Sequence, residues 1–271
     1  MKITFIGGGN MAAALLGGLI AKGHAPAGMR GVEIQAEARA RLAARFGVAC
    51  VDSAAAAMPL GEAVVLAVKP QQMHAAARAL QPRLGRELVI SIAAGIRLAD
   101  LSRWLGGYAT LVRCMPNTPA LIGAGITGLY ANTAVDADQR ALAESILGAV
   151  GATLWVAEEN LLDPVTAISG SGPAYVFYFI EALQQAAQEM GFSATDARKL
   201  AVETFVGTAR LAAQSPEDLA LLRERVTSKG GTTERALASM DADRVKDLIV
   251  RALHAAKQRA HELGEQLGAD E

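Results

Sequence analysis

The chain has few aromatic residues and almost no excess charge. Aromatic residues make up 4% of its 271 residues, whereas hydrophobic residues as a whole make up 52%. The apolar mass therefore consists of Ala, Leu and Val, a composition that suits closely packed helices. The formal net charge of −1 at pH 7 lacks the basic field that a nucleic-acid-binding surface needs. We expect no nucleic-acid partner.

Cysteines and long hydrophobic runs are also scarce. The two cysteines, Cys50 and Cys114, lie far apart and form no CxxC pair, which argues against a disulfide framework and a zinc site. No run reaches the roughly 18 apolar residues of a membrane span, and the sequence does not open with a basic segment and a cleavable apolar stretch. These absences predict a cytoplasmic chain without membrane association, with reduced cysteines and no metal.

Short β-type runs alternate with helical stretches over residues 1–158. The runs are ITFI, GVEI, VAC, AVVLAV, ELVISI, TLVRC and ATLWVA, and segments rich in Ala and Arg separate them. This alternation predicts βαβ units in an α/β fold with a mostly parallel, doubly wound sheet. Residues 63–68 are apolar throughout, as expected for a central strand that is covered on both faces.

Beyond about residue 160 the strand signals stop, and residues 159–271 predict an all-helical second domain. Ser193 with Asp196, and Thr232 with Glu234, have the character of N-terminal helix caps. Predicted breaks between the helices lie at residues 170–173, 191–193, 215–216 and 227–233.

The predicted helices over residues 174–190 and 245–267 are long and carry continuous Ala and Leu faces. A small domain by itself offers too little surface to cover such faces. We therefore expect a homodimer built through the helical domain, with a higher assembly of dimers left open.

A glycine-rich turn follows the first predicted strand directly. Gly7, Gly9 and Ala12 form a G-x-G-x-x-A pattern at the start of a helix. Gly7 permits the tight turn, Gly9 lets the backbone approach a pyrophosphate, and the helix N-terminus faces the anion. Because the pattern lies between a strand and a helix, it predicts a dinucleotide site rather than a simple turn. The expected cofactor contacts in this segment are Ile6, Gly7, Gly8, Gly9, Asn10 and Met11.

Glu33 is the expected ribose ligand, since it lies 21 residues after Ala12 near the end of the second predicted strand. Its carboxylate could accept hydrogen bonds from the ribose hydroxyls of NADH, whereas the 2′-phosphate of NADPH would meet its negative charge. Arg30 and Arg39 could instead hold a phosphate, and Glu33 could be a solvated loop residue. The cofactor is thus NADPH or NADH, with Glu33 favouring NADH.

Two further loops follow predicted strands and should line the same cleft, because ligands of doubly wound sheets sit above the carboxyl ends of the strands. Lys69 could be an ordinary solvated lysine, but its position before a rigid proline at such a strand end favours a role in the cleft. The expected cofactor contacts in these loops are Ala67, Val68, Lys69, Pro70, Ala93 and Ala94.

Three further segments resemble signature stretches of the pyrroline-5-carboxylate reductase family. They read RCMPNTP over residues 113–119, SGSGPAY over 169–175 and VTSKGGTTE over 226–234, and with the opening GGGNMA they follow the order and spacing of the family over essentially the whole chain. The resemblance implies a Rossmann domain over 1–158, a helical substrate-binding and dimerisation domain over 159–271, and reduction of 1-pyrroline-5-carboxylate to L-proline, the last step of proline biosynthesis.

Residues 226–234 suit a small carboxylate. A hydroxyl- and glycine-rich loop that opens a helix offers free N–H groups at the positive end of the helix dipole. Helix capping alone would explain such a sequence in part, but two glycines and four hydroxyls within residues 227–233 exceed what a cap requires. The resemblance assigns the hydrogen bond to the ring nitrogen, and so the catalytic role, to Thr233. The expected substrate contacts are Ser228, Gly230, Gly231, Thr232 and Thr233.

The chain departs from the family pattern at two positions of interest. Family members commonly carry Asn at the position of Ala54, where it helps to hold the adenosine, and often carry Pro at the position of Lys229. Residues 115–119 and 169–173 could shape the cleft floor and a hinge, or serve packing alone.

Two rival functions stay open. One is another imine or β-hydroxyacid reductase of the same plan, with Lys199 as its candidate acid or base. The other is a non-catalytic dinucleotide-binding regulator, which would not need the carboxylate loop.

Overall fold

A computed structural model describes residues 1–269 of the chain. These residues form two compact units. The first comprises Met1–Ser171 together with the segment from Ala256 onward, and the second comprises Gly172–Ala255. The predicted division of cofactor and substrate roles between residues 1–158 and 159–271 stays a prediction.

The first unit contains an eight-stranded sheet with the order β3-β2-β1-β4-β5-β6-β7-β8. Strands β6 and β7 pair antiparallel, and the other neighbours pair parallel. The predicted doubly wound sheet is confirmed. The strands are β1 (Ile3–Ile6), β2 (Met29–Val32), β3 (Ala49–Val51), β4 (Ala63–Leu66), β5 (Leu88–Ser91), β6 (Leu111–Met115), β7 (Gly125–Ala131) and β8 (Gly151–Trp155).

Helices accompany the sheet and then form the rest of the described chain, as predicted. None of the helices within residues 1–269 is long and apolar enough to cross a membrane. The helices are α1 (Asn10–Ala21), α2 (Ala36–Phe46), α3 (Met73–Leu80), α4 (Leu98–Trp104), α5 (Ala137–Leu147), α6 (Leu162–Val165), α7 (Gly172–Glu189), α8 (Ala194–Gln214), α9 (Leu219–Arg225), α10 (Thr232–Ala242) and α11 (Val245–Gly268).

Side chains of β4 alternate between two buried cores. Ala63 and Val65 belong to the cluster that includes the buried face of α1, whereas Val64 and Leu66 belong to the cluster that includes α3 and α4. Because both faces of the strand are covered, every one of its residues is buried. This two-sided burial explains the continuous apolar run in the sequence.

Strand β7 is the element that the sequence pattern does not predict. Gly125 and Gly128 interrupt its apolar alternation, and glycine weakens a strand signal. The structure shows why glycine is needed at Gly128. A Cβ there would lie 2.7 Å from Cγ1 of Val165, so the glycine lets α6 pack closely on the sheet.

Of the two predicted helix caps, one is confirmed and one is wrong. The Ser193 hydroxyl accepts the backbone N–H of Asp196 at 3.1 Å and caps α8. Thr232 is not a cap, because α10 begins at Thr232 and Gly231 is its N-cap. The Glu234 carboxylate instead accepts the N–H of Gly230 at 2.6 Å, one residue before the cap.

A buried arginine connects β6 to the segment that follows the sheet. Arg113 is 5% exposed, and its guanidinium donates to Oε1 of Glu159 at 2.9 Å and lies 3.7 Å from Oδ1 of Asp163. The same Glu159 oxygen accepts the N–H of Leu98 at 2.8 Å, so it also caps the start of α4. His261 is half-exposed and places Nδ1 3.3 Å from Oδ2 of Asp163.

Replacing Arg113 by Met should destabilise the fold strongly. The substitution leaves the Glu159 and Asp163 carboxylates without their cation, and removal of one partner of a buried ion pair typically lowers the free energy of unfolding by about 3–5 kcal/mol. Urea denaturation followed by circular dichroism measures the change. Arg259→Met is the matched control, because Arg259 pairs with Glu262 on the exposed surface of α11 and its loss should leave the midpoint in place. Equal midpoints for the two variants would contradict a structural role for Arg113.

Candidate functional site

Gly7 follows β1 directly and lies against the backbone that follows β4. Its φ is +101°, and a Cβ at this position would lie 2.7 Å from the carbonyl oxygen of Ala67. The Gly7 N–H donates to the carbonyl of Val32 at 2.8 Å, and the Ala67 N–H donates to the carbonyl of Ile6 at 2.7 Å. Both the backbone conformation and the close approach therefore require glycine.

Gly9 lies at the N-terminus of α1 and faces open space. It is the N-cap of the helix, and a Cβ there would meet no atom of the chain within 4 Å. The first turn of α1 carries no acidic residue, and no side chain of the cap residue satisfies its N–H groups. Exposed N–H groups at the positive end of a 12-residue helix match a pyrophosphate. The cradle fits the phosphates of a dinucleotide.

Glu33 follows β2 directly and binds the glycine loop. Its Oε2 accepts the N–H of Gly8 and its Oε1 accepts the N–H of Gln35, both at 2.9 Å. The residue is half-buried, so it is not the solvated loop residue of the alternative interpretation. Since each carboxylate oxygen has two lone pairs, both can still accept a further hydrogen bond.

The two nearby arginines bind backbone carbonyl groups. Arg39 donates to the carbonyls of Glu33 and Ile34 at 2.7 and 2.8 Å. Arg30 donates to the carbonyl of Ala57. Both guanidinium groups thus donate to backbone carbonyls and do not stand free to bind a phosphate. Arg39 lies beside the loop that carries Glu33.

The topology brings the other predicted cofactor residues to the same edge of the sheet. The loop from Ala67 to Pro70 follows β4, Ala93 and Ala94 follow β5, and β1, β4 and β5 are neighbours. Lys69 is exposed there, whereas Ala93 is buried. All these residues therefore lie at the carboxyl ends of adjacent parallel strands, which is where ligands of this fold bind.

Ala54 is buried in the core cluster that contains Ile6 and Val32. Its methyl group cannot form a hydrogen bond, so the side chain at this position contributes packing and no polar contact with an adenosine.

The second unit contains the predicted carboxylate loop. Gly230 has a φ of +72°, which favours glycine, and the N–H of Gly231 donates to the carbonyl of Ser228 at 2.9 Å. Ser228 and Thr232 are exposed and Thr233 is half-buried. Because α10 starts at Thr232, the N–H groups of its first turn point away from the helix body toward this loop. The loop thus offers several donors to an anion.

Asn117 joins the two remaining signature segments, and sequence reasoning did not identify it. Its side-chain amide donates to the carbonyl of Ser169 at 3.1 Å, and its Oδ1 accepts the N–H of Ile126 at 2.9 Å. Residues Thr166–Gly170 form a π-helical turn, which frees backbone groups for such contacts. Both segments have a packing role here.

Neither cysteine forms a disulfide, and Cys114 is buried. Burial raises the pKa of the Cys114 thiol, which keeps it protonated and unreactive. Within residues 1–269, no group of three or more His, Cys, Asp or Glu side chains is placed to hold a metal ion.

Comparison with known proteins identifies the family. A family model described as "Pyrroline-5-carboxylate reductase dimerisation" matches residues 159–263, and one described as "NADP oxidoreductase coenzyme F420-dependent" matches residues 2–95. The pyrroline-5-carboxylate reductase of Pseudomonas aeruginosa is 48% identical over 268 residues, which cover 98% of each chain. The chain belongs to the pyrroline-5-carboxylate reductase family.

Solved structures of pyrroline-5-carboxylate reductases share the fold over nearly the whole chain. The structure from Coxiella burnetii has a TM-score of 0.92 and 42% identity and covers 97% of this chain and 98% of its own. That from Plasmodium falciparum, solved with NADP bound, has a TM-score of 0.86 and 27% identity, with the same coverage.

Replacing Gly9 by Ala should weaken cofactor binding without disturbing the fold. The new methyl group meets no atom of the chain, but it would stand where the pyrophosphate must approach. We expect the Kd for NADH and NADPH to rise about 10-fold or more, equivalent to about 1.4 kcal/mol. Fluorescence titration measures the Kd, and thermal melting checks the fold.

Gly7→Ala is the contrasting variant, because its methyl group would clash with the backbone of Ala67. It should lower the melting temperature. Unchanged cofactor affinity in Gly9→Ala would place the phosphates elsewhere.

Proposed function

We propose that this chain reduces 1-pyrroline-5-carboxylate to L-proline with NADH or NADPH, the final step of proline biosynthesis. The observation that carries the proposal is the 48% identity to the Pseudomonas aeruginosa reductase over 98% of both chains. The glycine cradle at α1 and the donor-rich loop at α10 support it, because the reaction needs a dinucleotide and a substrate carboxylate to be held.

The cofactor site proposed here consists of the glycine loop and the strand-end loops. When bound, a reduced nicotinamide supplies the hydride for the imine carbon. The chain holds the pyrophosphate on the N–H groups of α1 and positions the nicotinamide half by the loops after β4 and β5. The residues assigned to it are Ile6, Gly7, Gly8, Gly9, Asn10, Met11, Glu33, Ala67, Val68, Lys69, Pro70, Ala93 and Ala94.

Glu33 favours NADH over NADPH in this proposal. Its two oxygens already bind the N–H groups of Gly8 and Gln35, so the carboxylate is held in place beside the glycine loop. A fixed carboxylate can accept the ribose hydroxyls, whereas it repels a 2′-phosphate. Arg39 uses its donors on backbone carbonyls and offers the phosphate less compensation.

The substrate carboxylate is assigned to the α10 loop. Ser228 and Thr232 would offer it hydroxyl and N–H donors at the positive end of the helix, and Gly230 and Gly231 would let the loop backbone come close to it. The Glu234 carboxylate accepts the N–H of Gly230, and this hydrogen bond holds the loop in its conformation. The N–H groups in the first turn of α10 are left for the ligand.

The Thr233 hydroxyl would bind the ring nitrogen and orient the imine carbon toward the hydride donor. Since a protonated imine is already a good electrophile, the reaction demands no strong general acid. Orientation is therefore the main contribution of the chain's own residues.

Self-association through the helical unit is part of the proposal. Helices α7, α9 and α10 bury no residue within the chain, and α7 leaves Phe177 and Tyr178 61% and 71% exposed. Exposed aromatic side chains of this kind mark a partner surface, and the family model that matches this region is a dimerisation model. We infer a homodimer, from which a larger assembly of dimers can be built. The cytoplasmic location stays a prediction.

The rival functions have less support. Lys199, the candidate acid or base of a hydroxyacid reductase, is an exposed residue on α8. A regulator without catalysis would not need the donor-rich loop.

The first test is the loss of absorbance at 340 nm when pyrroline-5-carboxylate is added with NADH or with NADPH. We expect oxidation of both cofactors, with the larger kcat/KM for NADH. Glu33→Gln removes the negative charge but keeps the hydrogen-bonding shape, so it should shift the kcat/KM ratio toward NADPH by about 10-fold. Failure to oxidise either cofactor would overturn the reductase assignment, and an unchanged ratio in the variant would remove Glu33 from cofactor selection.

Thr233→Ala should lower turnover by about 10- to 100-fold, because it removes a hydrogen bond that strengthens in the transition state. Thr233→Ser keeps the hydroxyl and should retain most of the activity. Steady-state kinetics of the two variants, with cofactor affinity measured in parallel, separates this effect from loop disruption. Wild-type turnover in Thr233→Ala would exclude Thr233 from the mechanism.

A further inference from the structure

The loop that follows β5 turns at a glycine. Gly95 has a φ of +81°, a conformation that favours glycine. It is buried, whereas the neighbouring Ala94 is exposed. The loop thus packs its glycine against the protein and leaves Ala94 open to a ligand. We call residues 93–97 the β5 loop, which carries the two cofactor contacts Ala93 and Ala94 assigned above.

The last turns of α11 pack directly against the β5 loop, within the first unit. A Cβ at Gly95 would lie 2.9 Å from Cδ1 of Leu267 and 3.7 Å from the backbone nitrogen of Gly264. In the opposite direction, a Cβ at Gly264 would lie 3.3 Å from the carbonyl oxygen of Gly95 and 3.2 Å from Nε of Arg97. Gly264 is buried, so the helix and the loop are in contact through their backbones.

Side chains on either side of this contact connect the same two regions. The Arg97 guanidinium donates to the carbonyl of His261 at 3.5 Å. Arg103, on α4 directly after the loop, donates to the carbonyl of Gly268 at 2.6 Å. Leu267 packs against the buried cluster to which the β5 loop contributes. The contacts therefore extend along the end of α11 and do not depend on a single residue.

The strand order places the β5 loop at one end of the proposed cofactor site. Neighbouring strands follow the order β2-β1-β4-β5. Glu33, after β2, is assigned to the adenosine ribose, and the N-terminus of α1, after β1, is assigned to the pyrophosphate. A dinucleotide that lies across these strand ends brings its nicotinamide half to β4 and β5. The β5 loop should therefore act on the nicotinamide half alone.

We propose that the end of α11 positions the β5 loop for the nicotinamide half of the cofactor, with Gly264 and Leu267 as positioning residues. The inference rests on the cofactor site proposed above. A methyl group at Gly264 would be closer to the Gly95 carbonyl than an ordinary van der Waals contact, so the loop would have to shift. Leu267 lies against the turn at Gly95, and its loss would leave the turn without that support. Small displacements of positioning groups have large effects on a bound reactant.

Calorimetric titration of the full chain with NADH and with ADP-ribose tests the proposal. ADP-ribose keeps the adenosine and the pyrophosphate but lacks the nicotinamide. In Gly264→Ala and in Leu267→Ala we expect the Kd for NADH to rise about 5-fold or more, while the Kd for ADP-ribose keeps its wild-type value. Gln266→Ala is the matched control, because Gln266 is an exposed neighbour on α11 and Gln and Leu have similar helix propensities. It should leave both Kd values unchanged.

The comparison of the two ligands separates positioning of the loop from a general loss of structure. The two variants change the packing in opposite ways, one by adding a methyl group and the other by shortening a side chain, so the test does not depend on either alone. Equal weakening of NADH and ADP-ribose, or wild-type affinity for NADH in both variants, would overturn the proposal. The titration contains no substrate, so a failure of the reductase activity would not affect it. A wild-type chain that binds neither ligand would overturn the cofactor site and this inference together.

Discussion

The close approach of Gly7 to the backbone of Ala67 is the contact on which the rest of the first unit depends. A side chain at Gly7 would push β1 and β4 apart just beyond the point where they pair. With glycine there, the chain turns at once from β1 into α1, and the helix N-terminus comes to lie over the carboxyl ends of the central strands. The anion-binding geometry is therefore a consequence of backbone packing, and the same turn supports both the fold and the site.

Electrostatics divide the nucleotide site into two parts. At α1 the first turn has no acidic residue, so the partial positive charge of the helix end remains available to an anion. Only a short distance along the loop, Glu33 is held on the N–H of Gly8 and presents a negative charge. A dinucleotide can bind to both parts, with its phosphates on the helix and its ribose hydroxyls on the carboxylate. A 2′-phosphate on that ribose would be repelled by the carboxylate.

The network around Arg113 has a different function. One carboxylate oxygen of Glu159 accepts hydrogen bonds from both the buried guanidinium and the N-terminus of α4. Asp163 connects the same arginine to α11 through His261. The network thus fixes the loop after β5, which carries Ala93 and Ala94, to the segment that leads into the helical unit. Because Arg113 and Asp163 are buried, removal of one member of their ion pair would leave the remaining charge with less compensation.

The sequence by itself determined the fold class, the glycine turn and the family. These features depend on local patterns: β4 is apolar on both faces, G-x-G-x-x-A follows a strand, and the signature segments are contiguous. Strand β7 escaped prediction because Gly125 and Gly128 serve distant neighbours, Ala120 and Val165, which local alternation does not reveal.

Only the tertiary structure showed the partners of Arg113 and the bridge made by Asn117. Likewise, the N-cap of α10 is Gly231 and not the predicted Thr232, and the Glu234 carboxylate binds the loop before the helix. Each of these depends on groups brought together from separate parts of the chain or on the conformation of a loop. The sequence specifies which side chains are present and at which positions. Tertiary packing decides which of them come into contact, because contacts between distant positions depend on the whole fold.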